Sequence, residues 1–305
     1  MSRFTDSKGK LQPIWAFVFS FLLSALAFFV SGNIAHEAAE THPFRVEFIF
    51  RPLWAFLLLA IFIWLLTVGD HIEEHRIAAQ GLPRTRGWLK QFVLGILLGC
   101  VLTTLAVAPI HFYGSFRTVN LMALRLLPNL AAVLMALLCG ALAEELMFRG
   151  YPFQHLEKAI GTVPAVISFS IIYGLLHFPL NPLPGIWGIV NTVMMGIMFS
   201  VAYLRTRALW LPWGIHFGWN LTLGLLFGLP LSGFRNYNLL RYTQAYGPEW
   251  LTGGKYGVEA SMTGAAAIVV GLILVSTLPF RKLMQPELKT APETALHDSL
   301  SGIKS

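Results

Sequence analysis

Charge is what this sequence lacks. Only 12% of its 305 residues are Asp, Glu, Lys or Arg, against 55% that are hydrophobic, whereas a soluble domain carries roughly 25% charged residues. So few charges cannot cover so much apolar surface in water, which argues against a soluble enzyme or a nucleic-acid-binding protein. Cysteine is nearly absent too. Cys100 and Cys139 both sit inside apolar runs, where they read as small hydrophobes rather than a disulfide framework or a thiolate metal site.

What is present in quantity is long apolar sequence. A bilayer core needs roughly 20 apolar residues per helical crossing. Uninterrupted stretches at 14–31, 52–69, 89–110, 121–159, 163–178, 186–204, 208–229 and 262–280 predict an all-α, polytopic membrane bundle of about eight transmembrane helices. The first run follows a polar segment and is long enough to remain as a span rather than a cleaved leader. An even number of spans puts both termini on one side. Loops on that side hold 15 of the 22 Lys and Arg residues, or 14 once Arg149 is treated as intramembrane, and the other side holds seven. The bias predicts an integral protein of the cell (inner) membrane with both termini cytoplasmic, and it accounts for the net charge of +7 without nucleic acid. Residues 1–13 then form a cytoplasmic segment, 14–284 the bundle with a catalytic core at about 121–229, and 285–305 a disordered cytoplasmic tail. The 230–261 loop is too long to be a mere connector and lies on the outer side, placed to cap a site.

Of 15 acidic residues only Glu144 and Glu145 fall within an apolar stretch. Ionisable groups at membrane depth are expensive and mark function by default. Arg149, four residues after Glu145, shares a helix face with it, so the two are expected to neutralise each other while Glu144 points about 100° away. His177 and the i, i+4 pair His216 and Asn220 are the other polar groups in apolar runs. A turn near 158–162 joins two spans as a hairpin, and Glu144 and His177 each stand sixteen or seventeen residues from its midpoint. At ~1.5 Å per residue both lie roughly 25 Å from the turn, or less if Gly150 and Pro152 break the helix. His216 and Asn220, ten and fourteen residues past Thr206, lie roughly 15 and 21 Å deep. The four groups can converge.

Such a set supports hydrolysis by activated water. A buried carboxylate can act as general base with His177 sharing the proton, and His216 and Asn220 can donate to a tetrahedral oxyanion. Equally, Glu144, His177 and His216 can ligate a divalent metal such as zinc that activates the water. Singly, each residue is as well explained by structure, as an interhelical hydrogen bond or a Glu/Arg clamp.

The run Ala143-Glu144-Glu145-Leu146-Met147-Phe148-Arg149-Gly150 resembles the Glu-Glu-x-x-x-Arg signature of the CPBP family, the CAAX proteases and bacteriocin-processing enzymes, also called Abi or type II CAAX prenyl endopeptidases. The family's Phe-x-x-x-His motif falls on Tyr173 to His177, with Tyr in place of Phe, and His-x-x-x-Asn on His216 to Asn220. The resemblance covers about a quarter of the chain and implies an intramembrane endopeptidase, a hydrolase with a helical bundle around its site. Carried over, Glu144 and His177 activate the water, His216 and Asn220 form the oxyanion site, and Glu145, Arg149 and Tyr173 support them. It also implies a membrane-associated protein or peptide substrate, including prenylated CAAX-like ones. The family is named as metalloproteases, and a metal-independent glutamate mechanism also fits its motifs.

Rival motifs fail on single residues. His71-Ile72-Glu73-Glu74-His75 matches an inverted zincin pattern but lies in a charged loop without a third ligand. His36-Glu37-Ala38-Ala39-Glu40 ends in Glu where a zincin needs His, Pro230-Leu231-Ser232-Gly233 lacks the first Gly of a rhomboid-like serine motif, and Thr67-Val68-Gly69-Asp70 lacks that of a presenilin-like one. Gly95 with Gly99, and Gly224 with Gly228, fit small-residue helix packing. The competing functional class is a non-catalytic scaffold or bacteriocin self-immunity protein, or a small transporter with a proton relay.

Overall fold

The structure is a computed structural model that describes residues 4, 12–40, 57, 81–83, 87–120, 127–178, 182–235 and 240–280. In chain order the elements are α1 (Pro13–Glu40), α2 (Trp88–Tyr113), β1 (Ser115–Asn120), α3 (Leu127–Arg149), α4 (Tyr151–Ile160), α5 (Thr162–Leu176), α6 (Gly185–Thr206), α7 (Trp210–Asn220), a π-helical stretch (Leu221–Leu226), β2 (Arg241–Tyr246), α8 (Glu249–Thr252), a 3-10 turn (Val258–Ala260) and α9 (Met262–Thr277). Trp88–Tyr113, Leu130–Ile160 and Gly185–Thr206 are long and apolar enough to cross a membrane, and Pro13–Leu26, Thr162–Leu176 and Met262–Thr277 are shorter apolar helices. Among the described residues the molecule is thus mostly helical with three long candidate spans rather than a demonstrated eight. The expected span at 52–69, apart from Leu57, lies outside the described residues, as do the His71–His75 motif and the 285–305 tail. The run at 208–229 is divided between α7 and the π-helical stretch.

Apolar residues on the outside identify the lipid face. Leu89, Val93, Leu97, Val101 and Leu105 form an exposed i, i+4 stripe down α2, while Gly95, Gly99, Leu102 and Ala106 face inward. In water such a stripe would be an aggregation surface, whereas in hydrocarbon it needs no cover.

The bundle is closed by a glycine seam. Gly95 and Gly99 of α2 meet Gly214 and Gly218 of α7, so that a Cβ added at Gly99 would stand 2.7 Å from the Trp219 amide nitrogen, and one at Gly214 3.0 Å from the Gly95 Cα. Close backbone approach of this kind is how helices associate where water supplies no hydrophobic drive. Gly228 serves a turn instead, adopting φ +66° with the Arg241 carbonyl where a Cβ would go. Gly99→Leu is therefore expected to force the helices apart at a cost of about 1–3 kcal/mol or more, read as earlier unfolding in detergent. Gly140, whose added Cβ would meet nothing within 4 Å, is the control: Gly140→Ala is expected to be neutral or stabilising by about 0.5–1 kcal/mol.

Helix breaks fall where the sequence places them. α3 stops at Arg149, Gly150 intervenes, and Pro152 sits in the first turn of α4, where its missing N–H does no harm. The described basic residues of the two predicted sides lie at opposite ends. At one end Arg207 reaches Glu157 at 2.8 and 3.2 Å, Arg205 donates to the Leu278 carbonyl and Trp210 to the Pro83 carbonyl. At the other, β1 pairs antiparallel with β2, Arg117 opposite Gln244. This two-stranded sheet corrects the all-α expectation. Its Thr, Val and Tyr residues suit a half-exposed pleat, but each strand is too short to stand out beside long apolar runs.

Candidate active site

α3 and α7 bring the charged groups together, and their relative position is fixed by the Trp213 indole, which donates to the Leu138 carbonyl at 2.9 Å. Glu145 and Arg149 are 0% and 1% exposed and pair at 3.3 Å. The guanidinium also donates to the Gly196 carbonyl at 3.1 Å and lies over the rings of Tyr173 at 5.0 Å and Phe199 at 5.3 Å. A carboxylate, a carbonyl and two aromatic faces offset part of the cost of burying this cation, while its Nε and Glu145 Oε2 find no hydrogen-bond partner among the described residues.

His216 stands between the two glutamates. Its Nδ1 lies 3.0 Å from Glu145 Oε1, and because an ionised carboxylate only accepts, Nδ1 carries the proton. Its Nε2 faces Glu144 Oε2 at 3.8 Å, wider than a hydrogen bond. The ring stacks on Phe199 with centroids 5.0 Å apart, which fixes its plane.

Glu144 is the accessible carboxylate, 27% exposed where Glu145 is closed. Its Oε2 accepts from the Tyr173 hydroxyl at 3.0 Å, a bond that the phenylalanine usual in the resembled motif could not make. His177 takes the end of α5, and its Nδ1 bonds the Tyr173 carbonyl at 2.8 Å. A carbonyl only accepts, so Nδ1 is again the donor and Nε2 is left for a proton from elsewhere. The structure thus hydrogen-bonds Glu144 to Tyr173, brings His216 Nε2 to within 3.8 Å of it, and sets His177 one turn beyond Tyr173 without a hydrogen bond to Glu144. Asn220 lies one turn after His216, half-buried, with no hydrogen bond from its side chain among the described residues. The α-helix gives way to π geometry immediately after it, and such departures cluster at functional sites.

One group escaped the sequence reading. Glu259, expected to be an ordinary loop residue, accepts from the Trp219 indole at 3.1 Å and from the Ser232 backbone N–H. Part of its surface stays open, but its carboxyl is enclosed. Burial pushes it above the usual carboxylate range, opposed by the Ser232 N–H, the Trp219 indole and the nearby His177 and His216. Tyr256 of the same loop, 2% exposed, has its phenol pushed up by burial and then by Glu259, with Glu144 also contributing. The described parts of the 230–261 loop, Ser232, Tyr256 and Glu259 among them, therefore pack against the turn of α7 that carries the site. No signal in its Gly- and Tyr-rich composition marks Glu259 out.

Among the described residues no group of three His, Cys, Asp or Glu side chains is arranged to hold an ion. His177 and His216 each donate from Nδ1 to a protein acceptor, which fixes the ring and leaves Nε2 as the nitrogen that faces a substrate or a ligand, and Glu144 makes a hydrogen bond to the Tyr173 phenol.

No curated protein matches the chain. Residues 125–222 match the family model described as Type II CAAX prenyl endopeptidase Rce1-like, a stretch that contains Glu144, Glu145, Arg149, Tyr173, His177, His216 and Asn220 and ends before Ser232 and Glu259. Two of the three long apolar helices among the described residues, Leu130–Ile160 and Gly185–Thr206, lie within that stretch, and residues 125–222 are accordingly a domain of the Rce1-like type II CAAX prenyl endopeptidase (CPBP) family.

Proposed function

We propose that the protein is an intramembrane endopeptidase that hydrolyses membrane-associated polypeptides by a carboxylate-activated water. The observation that carries this is the asymmetry of the adjacent glutamates: Glu145 is sealed and charge-paired, whereas Glu144 is open, is oriented by Tyr173 and faces His216. Glu144 takes a proton from water as the water oxygen attacks the peptide carbonyl carbon, and His177 Nε2 shares that proton. The oxyanion accepts from the Asn220 amide and from His216, whose Nε2 is a donor when the ring is protonated on both nitrogens. Collapse breaks the C–N bond, and the proton held by Glu144 passes to the leaving amine nitrogen. Glu145 and Arg149 hold His216 and do not meet substrate.

The basic turns at one end of the bundle support an orientation with that end and both termini in the cytoplasm of the cell membrane. The substrate class we favour is a lipid-anchored or membrane-embedded peptide, prenylated CAAX-like ones included, since an apolar exterior surrounds the site. The test is to incubate purified protein in detergent with prenylated and unprenylated membrane peptides and to identify the cut bond by mass spectrometry. Cleavage is expected, at a rate unchanged by excess chelator because the proposed base is the Glu144 carboxylate. Loss of cleavage with chelator, restored by added metal, would overturn the carboxylate mechanism. Absence of cleavage across the panel would favour a scaffold or immunity role.

A further inference from the structure

The Glu259 carboxylate connects the outer loop to the turn of α7 that carries His216 and Asn220. Trp219, its indole partner, precedes Asn220 by one residue and is 1% exposed. Its backbone is already held on the far side, where Gly99 packs on the Trp219 amide and Thr103 donates to its carbonyl at 3.4 Å. The loop end is held as firmly. Asn191 of α6 donates to the carbonyls of Glu259 and Ser261 at 2.9 and 2.8 Å, and Ser261 caps α9 by accepting from the Gly264 N–H at 2.9 Å. Elements from three parts of the chain thus fix both ends of one side-chain contact.

That contact sits in the last turn of α7, directly before the helix geometry changes. From Leu221 the chain follows i, i+5 bonding, with Phe227 N–H donating to the Thr222 carbonyl. Departures of this kind are frequent at functional sites. Trp219 is the residue next to Asn220, so the indole contact bears directly on how the turn that carries Asn220 is seated.

We propose that Glu259 is a positioning residue: by holding the Trp219 indole it sets the phase of the last turn of α7, and through it the alignment of Asn220 with His216. The catalytic consequence rests on the proposed endopeptidase activity, and the positioning does not. Misplacing a catalytic group by about 1 Å lowers rates roughly 100-fold, so the link is expected to act on kcat.

Two full-length variants in detergent micelles test this. Glu259→Gln turns an amide N–H2 toward the Ser232 N–H or the indole, donor against donor. Trp219→Phe removes the indole N–H and leaves the carboxylate in place. Each is compared with wild type by the side-chain amide resonances of Asn220, assigned with Asn220→Asp, and by kcat and KM. Both variants are expected to shift the Asn220 resonances and to lower kcat about 10- to 100-fold with KM within about twofold, and the double variant to be no slower than the slower single one. General loosening of the fold would lower the melting temperature and leave the Asn220 resonances of the folded protein where they were. Unshifted Asn220 resonances in either folded variant overturn the proposal, as does an unchanged kcat beside a shifted resonance. Should wild type cleave nothing, the endopeptidase reading falls, and the Asn220 resonances alone decide the positioning. If Glu259→Gln does not fold, Trp219→Phe carries the test.

Discussion

Glu144→Gln is expected to abolish most cleavage, lowering kcat about 10²- to 10⁴-fold, while the protein remains folded. The substitution is nearly isosteric, and the amide oxygen still accepts from the Tyr173 hydroxyl, so the local geometry persists. What disappears is the proton acceptor: an amide cannot take a proton from water near neutral pH. Because Glu144 is 27% exposed and its hydrogen bond is to a neutral phenol, its charge contributes little to stability, and the melting temperature is expected to stay within a few degrees. Turnover by Glu144→Gln at the wild-type rate would rule Glu144 out as the base. Glu145→Gln behaves differently under the same reading, losing stability and activity together, because it leaves the Arg149 guanidinium buried beside a neutral amide.

Arg149→Met is expected to give the larger loss of stability, about 3–5 kcal/mol, the usual result of stranding one member of a buried ion pair. Glu145 would keep His216 as its only donor, and the Gly196 carbonyl would lose the guanidinium. Met fills much of the same volume, so the effect reports charge and hydrogen bonding rather than a cavity. The check is a partner substitution. Glu145→Gln combined with Arg149→Met removes the stranded charge and is expected to recover part of the loss, a non-additivity that independent sites would not show. Arg149→Lys is not expected to rescue, since an ammonium lacks the planar fork that spans Glu145 and Gly196 and stacks on aromatic rings. Unfolding in detergent measures all five proteins: wild type, Glu145→Gln, Arg149→Met, the double variant and Arg149→Lys. A single Arg149→Met variant as stable as wild type would refute the buried-pair account.

These residues also show what sequence can and cannot specify. The Glu145 and Arg149 pairing was legible because helix periodicity dictates which residues share a face, and the break at Gly150 because Gly and Pro are poor helix formers. Depth arithmetic put Glu144 and His177 at one height but carries no information on direction around the helix axis. The His177 ring turns back to its own helix at Tyr173, and His216 is the histidine that faces Glu144. Glu259 was illegible for a different reason. Its partners Trp219 and Ser232 are 40 and 27 residues away in sequence, and its loop has no periodicity from which such contacts could be read. The β1 and β2 pairing, across more than a hundred residues, was hidden in the same way.

The seam between α2 and α7 bears on how such a site can open. At the seam glycine backbone meets glycine backbone, and beside it Phe92 packs on Trp213 and Phe217, so α7 has little room to slide along α2. His216 and Asn220 accordingly behave as a stationary jaw, referenced to α2. The movement that admits a polypeptide is then expected elsewhere in the bundle, with the oxyanion donors already in place when the chain arrives.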